Sequence, residues 1–466
     1  MNSSPMTIPG NYELERRQHR SAWLARLIVW MSVRNRPRAS RLARLIVWLF
    51  VIDFIVAYGI NPAFGIINIG ELALPQIVRG GTLLLLTLVI LKERSKIRQA
   101  CKFSWRAYRY GLFALSLVTA AEFIRTGSLP LISLNAYLQV VYWLTFWVVV
   151  DLASKDRISA QYMAICWVVV ISIAAFSVYY GVQNGDFANA YEDQGVTASA
   201  GIAGNPKGLP GQLMVACFLT LFLSREKHRV FGSLTALMFL GSSFLTYARA
   251  GMTGAALALV WLIVWNLFFR ARQQSLIWTW RFVALTACLA ALYFGKVGVG
   301  GLEARWADVS DPVTGGSGRA LLWAVAVDQY VHENRGLQIS GIGYEGMLTM
   351  MERRVGMAVA THDDLLDAIT IGGIVGLSLA IVVGACFVGA WRACPLSSDA
   401  AAMVGAIFCV LLCQSLLTGQ VFAPDTMVGY VLGISCVLGM SPVGSPNHVR
   451  LKRRLRTNRR LLLLFR

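Results

Sequence analysis

Residues 245–254 read LTYARAGMTG, a short break between two apolar runs with a single arginine, Arg249, inside it. A cation at the edge of a greasy segment needs water or an anion. Which of the two it meets depends on the side of the membrane it faces. Apolar runs of about 18–22 residues recur along the chain, and about 20 residues at 1.5 Å rise cross a hydrocarbon core ~30 Å thick. Hydrophobic residues make up 56% of the 466. That composition excludes an ordinary soluble protein and predicts an all-α polytopic membrane protein.

The pattern predicts about 12 transmembrane helices, near 43–60, 74–91, 108–125, 131–151, 160–182, 208–223, 229–247, 250–269, 281–298, 366–391, 400–419 and 424–441. Lysine and arginine then fix orientation, because cytoplasmic loops carry them in excess. With the N-terminus inside, the inner loops hold Arg34, Arg36, Arg38 and Arg41, then the cluster from Lys92 to Arg106, then Lys155, Arg157, Arg225, Lys227, Arg229, Arg270, Arg272 and Arg392. The short outer loops are poor in both residues. An even number of spans with both termini inside follows. The formal charge of +19 is read as an orientation signal rather than a nucleic-acid footprint.

Three regions are expected. A basic cytoplasmic segment covers 1–42, a membrane domain covers 43–441, and a basic cytoplasmic tail covers 442–466. The heptapeptide LARLIVW occurs at 24–30 and again at 42–48, where it opens the first span. The first copy, flanked by arginines, is expected to lie along the inner surface, and the tail to contact anionic membrane lipids. No cleavable signal is apparent. The nine cysteines fall mostly in apolar runs, against a disulfide framework or a zinc cluster.

Two outer loops are long, 183–207 and 299–365. Within the second, SGRALLWAVAVDQYVHENRG predicts an amphipathic helix capped by Ser317 and ending near Gly336. GIGYEG follows. It matches G-x-G-x-x-G, but no strand–helix unit surrounds it, so it reads as a glycine turn.

Orientation places Arg249 on the outer side, where positive charge is disfavoured. Arg319 lies at the first turn of the loop helix, where free N–H groups favour an anion, and Lys207 follows AGNP at an outer span mouth. Outward-facing cations beside spans suggest a phosphate or pyrophosphate on a lipid. His362, in THDDLLDAITIGGIVG, sits outside at the start of a span and is a candidate general base. Asp363 and Asp364 read either as helix caps, as partners of the imidazole, as the base, or as ligands to a divalent cation. Asp53 and Arg79 lie at equal depth on neighbouring spans, which suggests an ion pair that Glu122 joins; the pair is either structural or a wall of the cavity.

Four stretches in this order resemble the bacterial O-antigen ligase and O-antigen polymerase superfamily: GIAGNPKGLPGQL, LTYARAGMTGAALALV, GRALLWAVAVDQYVHENRGLQISGIGYEG and THDDLLDAITIGGIVGLSL. They span roughly residues 200–380. Asp363 stands where the family often has asparagine. The resemblance implies an inner-membrane glycosyltransferase with its active site facing the periplasm. The donor would be a glycan on undecaprenyl pyrophosphate, held by Arg249, Arg319, Lys207 and Asn205. The acceptor would be a sugar hydroxyl of the lipid A core for a ligase, or of another repeat unit for a polymerase. Arg249, Arg319 and His362 would be catalytic, Asp363, Asp364, Arg79 and Asp53 secondary, with no metal, no cofactor and no nucleic-acid partner. A transporter is the rival class, and it predicts midplane charges and inverted repeats. Asp53 and Arg79 are its only hint.

The charge asymmetry makes a direct prediction. An impermeant thiol reagent added from the periplasm should label a cysteine placed near Gly315 and spare one placed among residues 92–106. The reverse pattern would invert the topology.

Overall fold

Residues 209–222 are apolar on nearly every side, and a helix without a polar stripe has to be enclosed. The whole run is buried, in a helix Leu209–Leu223 at the centre of the fold. The computed structural model describes residues 40–56, 68–69, 72–184, 208–225, 228–246, 248–269, 281–283, 285–286, 318–394, 399–419 and 424–441. The basic N-terminal segment, the basic tail, residues 185–207 and most of the ninth expected span lie outside the described residues.

The helices are α1 (Arg41–Phe54), α2 (Leu74–Ala100), α3 (Lys102–Thr126), α4 (Leu131–Ala153), α5 (Arg157–Asn184), α6 (Leu209–Leu223), α7 (Arg229–Leu245) and α8 (Arg249–Phe269). After them come α9 (Arg319–His332), α10 (Arg335–Ser340), α11 (Tyr344–Val355), α12 (Asp364–Arg392), α13 (Asp399–Thr418) and α14 (Pro424–Met440). A two-residue antiparallel ladder, Asn68–Ile69 with Leu72–Ala73, precedes α2. The protein is otherwise helical among the described residues. Among the described residues, five helices are long and apolar enough to cross a membrane: α2, α4, the Arg157–Gly181 part of α5, α12 and α13. Leu209–Leu223, Arg229–Leu245, Arg249–Trp265 and Thr426–Met440 are shorter apolar helices.

The outer faces show what surrounds the bundle. Leu84, Leu88 and Leu91 on α2, and Val169, Ile173 and Phe176 on α5, recur at helical spacing and are all exposed. Apolar stripes of that length do not face water on a stable monomer; hydrocarbon suits them. Asp53 and Arg79 meet, with Nε to Oδ1 at 3.3 Å, and tie α1 to α2. Glu122 does not join them. Its carboxylate accepts from Ser133 Oγ at 2.7 Å and Tyr137 Oη at 2.5 Å on α4.

Local chemistry moves several boundaries from where the sequence pattern placed them. α2 runs past its apolar stretch through a kink at Glu93, and the polar residues 94–100 continue it. The loop helix ends at His332 rather than near Gly336. Asn334 caps a new helix by accepting from Leu337 N at 3.0 Å. The loop helix α9 starts from Gly318 in the left-handed region, φ 75°, while Ser317, the expected cap, lies outside the described residues.

Antiparallel pairings gather one set of helix ends. Positions Phe103 and Gly389, then Val118 and Gly372, face each other along α3 and α12. On α8 and α13, Trp261 Nε1 donates to Ala402 O at 3.0 Å, and Gly254 lies against Val410 and Cys413. Gly208, at the start of α6, touches Thr426 at the start of α14, while Pro210 meets Gly251 near the start of α8. The starts of α6, α8, α12 and α14 therefore lie at the same end as the finishes of α3 and α13.

Candidate functional site

The segment Thr361–His362–Asp363 is tied down on both sides of its histidine. Asp363 is the N-cap of α12, and its Oδ1 accepts from Leu365 N at 2.8 Å and Leu366 N at 3.0 Å. Burial pushes the Asp363 carboxyl above its ordinary range, against the pull of those two donors. Asp367, one turn later, accepts from Thr361 N at 2.8 Å and Thr361 Oγ1 at 2.7 Å. The fixed flanks hold His362 at φ 61°, a left-handed conformation uncommon for a non-glycine residue. The ring is half-buried, while its three neighbouring carboxylates are buried. Asp364 accepts from Ser415 Oγ on α13. The backbone of His362 packs on Gly419 just past α13, where an added Cβ would sit 3.5 Å from the His362 Cα.

Arg319 reaches this place through α9. Four residues on from it, Trp323 Nε1 donates to Thr361 O at 3.1 Å, and positions i and i+4 share a helix face. Arg249 is the first residue of α8 and is buried at 9% exposure, which distinguishes it from an arginine snorkelling to the surface. The α8–α13 pairing carried on to its end brings Arg249 level with residues 415–418, the turn that holds Asp364. Arg249, Arg319 and His362 thus belong to elements that converge on the α12–α13 junction. Lys207 and Asn205 lie outside the described residues. Asp53 and Arg79 stand apart, on helices that pack chiefly against α4 and α5. Among the described residues no three His, Cys, Asp or Glu side chains are grouped to hold a metal.

Sequence reasoning missed the device that joins the loop helices to the bundle. α12 breaks at Gly373, φ 57° and ψ −147°, a conformation only glycine adopts easily. The carbonyls of Thr370 and Ile371 instead accept from Ile342 N and Gly343 N, both at 2.9 Å. GIGYEG is therefore a turn, as its surroundings suggested, and it is also an anchor. Arg125, at the finish of α3, donates Nη1 to Gly341 O at 2.9 Å and Nη2 to Ile342 O. Ser133 Oγ and Tyr137 Oη, which serve Glu122, also accept from Glu345 N at 3.1 Å and Tyr344 N at 3.3 Å. Arg125 had a legible signal: like Arg249, it is a cation at the outer end of an expected span. Asp367 had none, because its partner is defined only once Thr361 turns back on α12.

An elongated apolar cavity of about 190 Å³ runs beside α12, from Asp364 and Ser415 down to Val383 and Phe387. Leu115, Val140 and Leu411 line its walls. Asp364 and Ser415 make the α12–α13 junction a polar end of it. The chain matches no protein-family model and no curated protein sequence. The site is thus described by its own chemistry: an apolar crevice opening beside a constrained imidazole, with two arginines borne by adjoining elements. Such a site suits an amphiphile with an anionic head.

Replacing Gly373 tests the anchor. A Cβ there would lie 2.5 Å from Gln338 O and the Ile339 carbonyl, and the strained φ alone costs about 1–3 kcal/mol. Gly373→Ala should lower thermal stability by at least that amount. It should also speed hydrogen exchange at the Ile342 and Gly343 amides, while Leu213 in the enclosed α6 stays protected. Unchanged exchange at Ile342 and Gly343 would show that the anchor does not depend on the break.

Proposed function

We propose that this protein is a membrane glycosyltransferase that moves a glycan from undecaprenyl pyrophosphate to an acceptor sugar hydroxyl. The resemblance points to the lipid A core as acceptor, making the chain an O-antigen ligase. The observation that carries the reading is the apolar crevice along α12, lined where α12 starts by Asp364, two residues on from His362, and by Ser415 of α13. An isoprenoid chain would fill the crevice and leave its pyrophosphate at the α12–α13 junction. In this reading the chain has twelve spans with both termini in the cytoplasm, and the junction faces the periplasm across the inner membrane.

The chemistry is a displacement at the anomeric carbon. The acceptor oxygen forms the new glycosidic bond while the bond to pyrophosphate breaks, and the pyrophosphate departs with the electron pair. Arg249 and Arg319 stabilise the charge that grows on the leaving group, guanidinium forks matching phosphate oxygens. His362 takes the acceptor proton. Among its neighbours, Asp363 caps α12, Asp364 holds Ser415 and Asp367 holds Thr361, and an imidazole suits general-base work near neutral pH.

Arg249→Ala and Arg319→Ala should each lower transfer roughly 10²–10³-fold with the protein still folded in the membrane. Arg249→Lys should also be impaired, since an ammonium lacks the bidentate fork. His362→Ala should lose roughly 10²–10⁴ in rate yet retain lipid-linked donor. Transfer from purified components, with donor binding measured in parallel, separates the roles. Wild-type transfer by Arg249→Ala would return that residue to a structural part. Activity lost in excess EDTA and restored by a divalent cation would replace the metal-free scheme.

A further inference from the structure

A second cavity, of about 410 Å³, lies between the finish of α3 and the loop helices α9, α10 and α11. Its character is opposite to the first. Glu122, Arg125, Gln329, Glu345, Thr349 and Arg353 are among its lining residues. Most of the charges near it are spoken for. Arg125 serves the anchor loop, Glu122 takes two hydroxyls, and Arg354 pairs with Asp328 at 2.6 Å. That pair latches α9 to α11, and the Arg354 hydrogen bond holds the Asp328 carboxyl below its ordinary range.

Three groups remain. Glu345, Thr349 and Arg353 follow one another at i, i+4 and i+8, so one face of α11 presents a carboxylate, a hydroxyl and a guanidinium to the cavity. Among the described residues, none of the three side chains has a hydrogen-bond or ion-pair partner in the protein. A carboxylate accepts from vicinal hydroxyls, and a guanidinium takes a carboxylate in two parallel bonds. Glu345 and Arg353, eight residues apart, stand about 12 Å apart along the helix axis. The volume falls within the range of small-ligand sites, about 300–1,000 Å³.

α9 links the two cavities. Arg319 is at its start, on the turn before Trp323 meets Thr361, and Gln329 is on the rim of the second cavity. Ten residues of helix separate them by about 15 Å. A glycan whose reacting end lies at the α12–α13 junction would reach the second cavity with a sugar further along its chain.

We propose that this second cavity is a subsite for an acidic sugar, a hydroxyl-rich residue bearing one carboxylate, with Arg353 on the acid and Glu345 and Thr349 on the hydroxyls. The proposal rests on the glycan-transfer reading for its role but not for its binding chemistry. The sugar belongs either to the donor glycan or to the acceptor.

Glucuronic acid is the probe, with glucose as the neutral control. Full-length protein in nanodiscs would be titrated with each by saturation-transfer NMR. Glucuronate should bind saturably and more tightly than glucose. Arg353→Ala should weaken it about ten-fold or more, since a charged hydrogen-bonded pair is lost, and Arg353→Lys should fall between. Arg353 is exposed, so these variants leave the packing intact. Glu345→Gln should weaken glucuronate and glucose alike. No saturable glucuronate binding in the wild type overturns the proposal. So does equal binding in Arg353→Ala, or binding lost in Arg319→Ala alone, which would put the sugar at the other cavity. Because the readout is binding, the subsite stands if glycan transfer fails, and falls by itself if transfer succeeds without it. In the transfer assay, a KM raised by Arg353→Ala for donor alone assigns the sugar to the donor. A rise for acceptor alone assigns it to the acceptor.

Discussion

Two backbone hydrogen bonds, from Ile342 and Gly343 to the carbonyls of Thr370 and Ile371, govern how the loop helices meet the bundle. A break inside an apolar helix frees carbonyls that hydrocarbon cannot satisfy, and each unsatisfied group costs several kcal/mol. The break at Gly373 is tolerable because another stretch of backbone arrives to fill it. That stretch brings its own carbonyls, and Arg125 covers them. The hydroxyls of Ser133 and Tyr137 then complete the set by taking the next two amides. Remove the first pair of bonds and the others lose their purpose.

From that anchor the positions of both cavities follow. α10 packs on α12 and α11 on α4, and α9 is fixed at one end by Trp323 on Thr361 and toward the other by Asp328 on Arg354. Arg319 and Gln329 are thereby held at a set separation on one rigid element. The apolar crevice runs along α12, and the polar cavity lies between α3 and the loop helices. A reaction that joins a lipid-borne group to a hydrophilic one needs both kinds of surface near each other, and the proposed activity uses them in that way.

How far could this be foreseen? The apolar runs located α4 to α8 and α12 to α14 within a few residues, and α1 to α3 less closely, α2 running nine residues past its expected end. Asp53 and Arg79 announced each other by equal depth, and THDD announced a helix start. What stayed hidden depends on contacts far apart in sequence. Asp367 reads as one more acid in a first turn until Thr361 folds back onto it. Glu122 seemed a third member of the Asp53–Arg79 pair, but its depth on α3 faces Ser133 and Tyr137 instead. Nothing local in IGGIVG distinguishes a glycine that packs against a neighbouring helix from one at which the helix is cut.

The anchor is built almost wholly from main-chain atoms, which every residue type but proline supplies in the same form. Ile342, Thr370 and Ile371 contribute an amide or a carbonyl, and their side chains are not parties to the bonds. The geometry therefore constrains few letters: glycine at 341, 343 and 373, where an added Cβ would strike a carbonyl or a carboxylate, and a long cation at 125. Hydroxyls at 133 and 137 complete the set, and the other positions are constrained only through their main chain. Two chains sharing this joint could thus hold the same shape with little spelling in common, and a comparison by alphabet alone would pass over it.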